Sequence, residues 1–223
     1  MNINYEIFDK IEKIKNNSKQ KLIVLKGLIN KDFEKKIYKS VSKSLSLPTK
    51  IFKHNKKIVK YEYNDSNKFN YDLKQLYIEL NSKKFINILK KIFNIKDLYP
   101  DGNKLYSGLS VSMKNASLRE HIDFNYNDKI KKYRIINLLL YLNKNYKDQN
   151  GGKFYYRNIN TKKRKYIKPE FNNLVIFMTN KNTPHGFTKV FKKRISLNIY
   201  YYSNNNLTLT KSNFKKILEQ TTL

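Results

Sequence analysis

Three histidines occur in the 223-residue chain, and two of them keep the company that a metal centre requires. His121 stands two residues before Asp123 in His121-Ile122-Asp123. His185 lies far downstream in Pro184-His185-Gly186, and Arg194 follows it in Lys193-Arg194-Ile195-Ser196-Leu197-Asn198. Two imidazoles and one carboxylate form the donor set of a facial triad, which holds non-haem Fe(II) and leaves coordination positions open for oxygen chemistry.

Such a site needs strands to position it. In a strand, residues two apart point to the same face, so His121 and Asp123 can reach one metal, with His185 brought in from a distant strand. In the last strand-like run, Arg194, Ser196, Asn198 and Tyr200 share one face, and Ile195, Leu197, Ile199 and Tyr201 share the other. A polar face lining a pocket and an apolar face packed on a core explain that division. Asn137, Leu139 and Tyr141 form one face of the run from Arg134 to Asn143 in the same way. A buried arginine calls for an anionic partner, and a cosubstrate carboxylate would match the planar guanidinium in bidentate fashion.

The strand signals lie in the second half. Leu105–Met113, Tyr133–Asn143, Lys153–Arg157, Leu174–Thr179 and Arg194–Ser203 are short β-prone runs, separated by turn signals such as Asn150-Gly151-Gly152 and Pro169 with Asn172-Asn173. The first hundred residues read mainly as helix, from Ile7, Ile11 and Ile14, from Phe33, Ile37 and Val41, and from the apolar positions of Asp72–Phe93. Asn81-Ser82 supplies a break and second N-cap in that last stretch. Leu22–Leu25 suits a short strand. Residues 46–69 read as an irregular connection, Pro100-Asp101-Gly102 as a turn, and Thr210–Gln220 as a final amphipathic helix. The expected fold is mostly β with helical N-terminal support, an α+β arrangement around a jelly roll. Residues 1–104 are expected to be a helical leader that does not stand alone, 105–203 the core, and 204–223 a helix or tail.

Composition narrows the classes without choosing among them. At 26.8 kDa the chain suits one domain with a substantial core. Cysteine is absent, which excludes disulfides and thiolate metal sites. No secretory signal is visible at the N-terminus and no apolar run is long enough to span a bilayer, so a cytoplasmic protein without membrane contact is expected. The formal charge is +30, yet arginine occurs only at Arg119, Arg134, Arg157, Arg164 and Arg194. The excess is lysine, spread end to end beside abundant Asn, Ile, Tyr and Phe, as an AT-rich coding bias would leave it. Contact with a polyanion stays open as the lesser reading. The cluster Lys162–Lys165 reads as a solvated loop and His54 as a surface residue.

The second half resembles the prolyl 4-hydroxylase-like branch of the 2-oxoglutarate/Fe(II)-dependent dioxygenases. The resemblance rests on Leu118-Arg119-Glu120-His121-Ile122-Asp123-Phe124-Asn125, on Arg134–Asn143, on Gly151-Gly152-Lys153-Phe154 and on Lys168–Phe177. It continues through Pro184-His185-Gly186 and Arg194-Ile195-Ser196-Leu197. It implies a double-stranded β-helix with iron held by His121, Asp123 and His185, which are also the catalytic set. It further implies 2-oxoglutarate chelating that iron, its distal carboxylate held by Arg194 and hydrogen-bonded by Tyr141. Asn137 and Asn198 face the same pocket and are secondary cosubstrate candidates. Many relatives carry a tyrosine on the strand before the His-x-Asp motif, where this chain has Ser110-Val111-Ser112-Met113.

The implied reaction uses O2, oxidatively decarboxylates 2-oxoglutarate to succinate and CO2, and hydroxylates a C–H bond, with ascorbate sustaining the iron. Peptidyl proline is the first substrate class, and a free amino acid, a glycan or another small molecule stays open. Residues 46–69 and Asn125–Lys132 are the expected lids or substrate walls. Two other readings stand beside this one: a base demethylase with the same iron chemistry, and a non-catalytic basic jelly roll that binds RNA or another polyanion.

Overall fold

The computed structural model describes residues 2–9, 11, 20–101 and 106–207. In chain order the elements begin with β1 (Leu22–Lys26), α1 (Lys31–Ser44), β2 (Lys50–His54), β3 (Lys57–Tyr63), α2 (Tyr71–Leu80), α3 (Lys83–Phe93) and β4 (Tyr99–Pro100). They continue with β5 (Gly108–Ser112), β6 (Leu118–His121), β7 (Tyr126–Asn127), β8 (Lys132–Tyr141), β9 (Phe154–Arg157) and β10 (Arg164–Ile167). The series closes with β11 (Asn173–Met178), β12 (His185–Phe187) and β13 (Arg194–Ser203).

Two antiparallel sheets face each other. The larger runs β1-β11-β8-β13-β5-β3-β2, with β4 beside β13 and β7 beside β8; the smaller runs β10-β9-β12-β6. From β5 onward the long strands alternate between the sheets, and this winding makes the double-stranded β-helix. The period-2 pattern decides which face goes where. Leu138, Leu140, Leu197, Ile199 and Tyr201 point away from the small sheet into the main apolar core, which they share with Leu73, Leu76 and Leu80 of α2 and Phe85, Leu89 and Phe93 of α3. The Tyr201 hydroxyl donates to the Leu80 carbonyl at 2.8 Å, tying that core to the end of α2. Truncating one of these fully buried leucines to alanine costs about 2–5 kcal/mol. The helical layer therefore fixes the back of the sheet whose front carries the chemistry.

The helices form where the spacing puts them. In α3 the buried residues Phe85, Ile86, Leu89, Ile92 and Phe93 make one face, the Ser82 hydroxyl accepts from Phe85 N, and Asn94 ends the helix in a left-handed conformation. The start of α2 is capped from outside. Ser44 and Ser40 of α1 accept from the backbone N–H groups of Asn70 and Leu73, which fastens the two helices together.

Three expectations need correction. Residues 46–69 are not irregular: β2 and β3 form a hairpin, turned by Asn55 and Lys56 at positive φ, and β3 pairs with β5. At the sheet edge the hairpin has little core to face, so lysines fill it and no alternation shows in the sequence. Arg164 and Lys165 of the basic run belong to β10 rather than to a loop, for the same reason of exposure. Near the N-terminus, Tyr5–Phe8 form a single 3-10 turn in place of the start of an α-helix. Ile14, Gly102 and the Thr210–Gln220 helix lie outside the described residues. His54 ends β2 exposed, as expected. Among the described residues no helix is long and apolar enough to cross a membrane.

Candidate active site

His121 closes β6 and His185 opens β12, and the two are direct partners in the antiparallel register of those strands. Their ring centroids lie 4.6 Å apart. Asp123 sits just past the end of β6, in the loop, rather than within the strand as the spacing argument assumed. It still completes the set: Asp123 Oδ1 is 3.3 Å from His121 Nε2, and Oδ2 is 3.5 Å from His185 Nε2. One donor atom from each residue lies within 4.8 Å of the others.

The imidazoles are held in the tautomer that a metal needs. His121 Nδ1 lies 3.0 Å from the Arg119 carbonyl and His185 Nδ1 lies 2.9 Å from the Thr183 carbonyl. A carbonyl only accepts, so each Nδ1 carries a proton and each Nε2, turned to the centre, is the atom that ligates once it is deprotonated. His185 also packs against the rings of Phe177 and Phe154. That burial pushes its pKa down to about 4, against the opposing pull of Asp123. For His121 burial acts in the same direction, but the hydrogen bond and charge of Asp123 win and raise it. Burial alone would raise Asp123; the charges of Arg134, His185 and His121 overcome it and hold the carboxyl well below the usual range.

Arg134 was not among the expected site residues, and it follows Lys129, Lys131 and Lys132 with nothing to set it apart from them. Its Nη2 lies 3.2 Å from Asp123 Oδ1, and its guanidinium is sandwiched between the rings of Phe124 and Tyr200. A bulge at Tyr201/Tyr202 in the β13–β8 pairing sets the local register there. On the outer side of the small sheet, Glu120 accepts from Arg157 Nε at 2.8 Å and Nη2 at 3.1 Å, and from Arg164 Nε at 3.2 Å. This ties the His121-bearing strand to β9 and β10.

Arg194 begins β13 and turns into the space between the sheets, where its guanidinium lies over the rings of Tyr141 and Phe187. Its Nε donates to the Gly152 carbonyl and its Nη2 to the Tyr141 hydroxyl, both at 3.0 Å. Arg194 is 6% exposed, and no carboxylate among the described residues forms an ion pair with it. Gly152 makes room for it: a Cβ there would meet Arg194 Cδ at 3.0 Å. Along the inner face of β13, Ser196 pairs with Tyr141, Asn198 with Leu139 and Tyr200 with Asn137, so the row leads from the Arg194 clamp toward Asp123. In this row Ser196 Oγ and Asn198 Oδ1 are buried and have no hydrogen-bond partner among the described residues. Asn137, on the face expected to line the cosubstrate pocket, donates from Nδ2 to Asp123 Oδ2 at 2.5 Å.

Residues 108–202 match the family model of the 2OG-Fe(II) oxygenase superfamily. No curated protein sequence matches the chain. Among solved structures, a prolyl-4-hydroxylase from Pseudomonas putida is similar at 12% identity and TM-score 0.62, over 88% of this chain and 97% of its own. A prolyl 4-hydroxylase from Phytophthora capsici is similar at 15% identity and TM-score 0.64, over 98% of this chain and 70% of its own. A viral collagen prolyl hydroxylase from Paramecium Bursaria Chlorella virus-1, solved as a 2OG complex, is similar at 16% identity and TM-score 0.51, over 82% of this chain and 96% of its own. At these identities the likeness establishes the shared jelly-roll fold.

The β5–β13 core thus carries a 2OG-Fe(II) oxygenase domain, and the similar solved structures share its fold. Its iron, 2-oxoglutarate and O2 fit the residues present. Two Nε2 atoms and an ionised carboxylate converge as a metal donor set, and a buried arginine with no acidic partner among the described residues fits a carboxylate.

Proposed function

We propose that the protein hydroxylates a prolyl or other C–H site, using 2-oxoglutarate and O2 and releasing succinate and CO2. In that stoichiometry one oxygen atom enters succinate and the other enters the product hydroxyl. The observation that carries the reading is Arg194: a buried cation, hydrogen-bonded to Tyr141, on the strand face that leads to the His121–Asp123–His185 set. An unpaired buried cation is costly unless a ligand supplies the anion.

The bound iron would supply the oxygen chemistry, held by His121, Asp123 and His185. The chain's other residues bind and orient. Arg194 and Tyr141 would clamp the distal carboxylate of 2-oxoglutarate, and Ser196 and Asn198 line the way between clamp and metal with polar atoms that lack partners. The apolar packing of Phe154, Phe177 and Phe187 around His185 and Arg194 keeps water from the reacting centre. The prolyl hydroxylases among the similar structures make prolyl sites the first class to test; free amino acids and glycans follow.

The test is to incubate iron-loaded protein, with ascorbate, with 2-oxoglutarate and panels of proline-containing peptides, free amino acids and glycans. Succinate formed in step with a 16 Da mass gain on one panel member, both absent for Asp123→Ala, is the expected result. Substrate-independent metal binding with no succinate from any condition would contradict it.

A further inference from the structure

We infer that Asn137 is a positioning residue for the metal-ligating carboxylate, held in its working orientation by Thr179; the inference rests on the iron-site reading above. His121 and His185 are each fixed twice, by strand pairing and by an Nδ1 bond to a backbone carbonyl. Asp123 has neither support, because β6 has ended and its side chain hangs from a loop. What holds it comes from the opposite sheet. Asn137 is 2% exposed at the centre of β8, paired with Phe177 on one side and Tyr200 on the other, so its backbone is held by strands on both sides. Its Nδ2 donates across the gap between the sheets to Asp123 Oδ2.

Chemistry sets the direction of that bond. An ionised carboxylate only accepts, so the amide must present nitrogen. Thr179 secures the other end: its Oγ1 donates to Asn137 Oδ1 at 3.3 Å, while its backbone N–H is anchored on the Ile135 carbonyl. A flipped amide would set oxygen against carboxylate and nitrogen against the hydroxyl. Thr179 to Asn137 to Asp123 is thus a three-residue relay from β11's end through β8 to the metal ligand. Partners behind a metal ligand commonly govern affinity by about 10–100-fold.

The test is Mn(II) titration of the metal-free protein, with free ion counted by electron paramagnetic resonance, beside thermal melts without metal. Asn137→Ala should weaken Mn(II) by about 10–100-fold. Thr179→Val, which keeps shape and removes the hydroxyl, should weaken it by about 3–10-fold, as loss of one ordinary hydrogen bond implies. Leu138→Ala, on the core face of the same strand, should lower Tm and leave Mn(II) affinity within about twofold, which separates positioning from plain destabilisation. Folded Asn137→Ala that binds Mn(II) as the wild type does would overturn the relay; if that variant fails to fold, unchanged affinity in Thr179→Val does so. Wild-type protein without Asp123-dependent Mn(II) binding would overturn the iron-site reading itself, and the relay with it.

Discussion

Arg194 and Tyr141 share a 3.0 Å hydrogen bond between the two sheets, and the guanidinium that makes it has no acidic partner among the described residues. In the proposed reading the pair receives the distal carboxylate of 2-oxoglutarate. Replacing Arg194 with methionine keeps the bulk and removes the charge. It should weaken 2-oxoglutarate by about 100-fold or more, since bonds to charged groups contribute roughly 1.5–3 kcal/mol each. Calorimetry on the metal-loaded protein checks this, and Mn(II) affinity should stay within a few-fold of wild type.

Tyr141→Phe removes only the hydroxyl. Arg194 stays, anchored on Gly152, so the cost should be that of one hydrogen bond, about 1 kcal/mol or roughly fivefold in 2-oxoglutarate affinity. The same calorimetric titration separates this modest loss from the large one at Arg194.

Gly152 is tied to the same pocket by space and by backbone. It holds φ +71°, and an added Cβ would press on Arg194 Cδ and Val190 Cγ2. Gly152→Ala should therefore lower stability by about 1–2 kcal/mol through the strained conformation. It should also weaken 2-oxoglutarate by displacing the guanidinium. A melt and a binding titration on one sample read both effects.

Metal binding should depend on pH through His121. Around neutral pH Asp123 is already ionised and His185, with its pKa near 4, is already neutral, so His121 is the ligand that must lose a proton. Its pKa is raised above 6.5, mainly because Asp123 overcomes burial. Apparent Mn(II) affinity should thus climb about tenfold per pH unit below that pKa and level off above it. A further proton should compete below about pH 4, where His185 titrates. Titrations across pH 5 to 9 check the slope.

What the chain discloses about itself follows from burial. Arg194–Ser203 was readable to the residue because that strand has a polar front and an apolar back, each with a task. His121, Asp123 and His185 stood out by residue type and come together in the fold, whereas Tyr141 was pointed to by the family resemblance. The β2–β3 hairpin and β10 were not, because edge strands exposed to water need no alternation. For Asn137, strand periodicity gives the face of the residue, but not that its amide reaches the carboxylate of Asp123. Arg134 pairs with Asp123 and Thr179 bonds Asn137, contacts across the sequence that only the assembled fold reveals.

The most direct measurement is an anaerobic titration of 2-oxoglutarate into the Fe(II)-loaded protein, followed in the visible spectrum. Chelation of the cosubstrate by iron should give a saturable charge-transfer band, absent in Asp123→Ala and needing far more 2-oxoglutarate in Arg194→Met. Tight Fe(II) binding with no band at any concentration of 2-oxoglutarate would contradict the account.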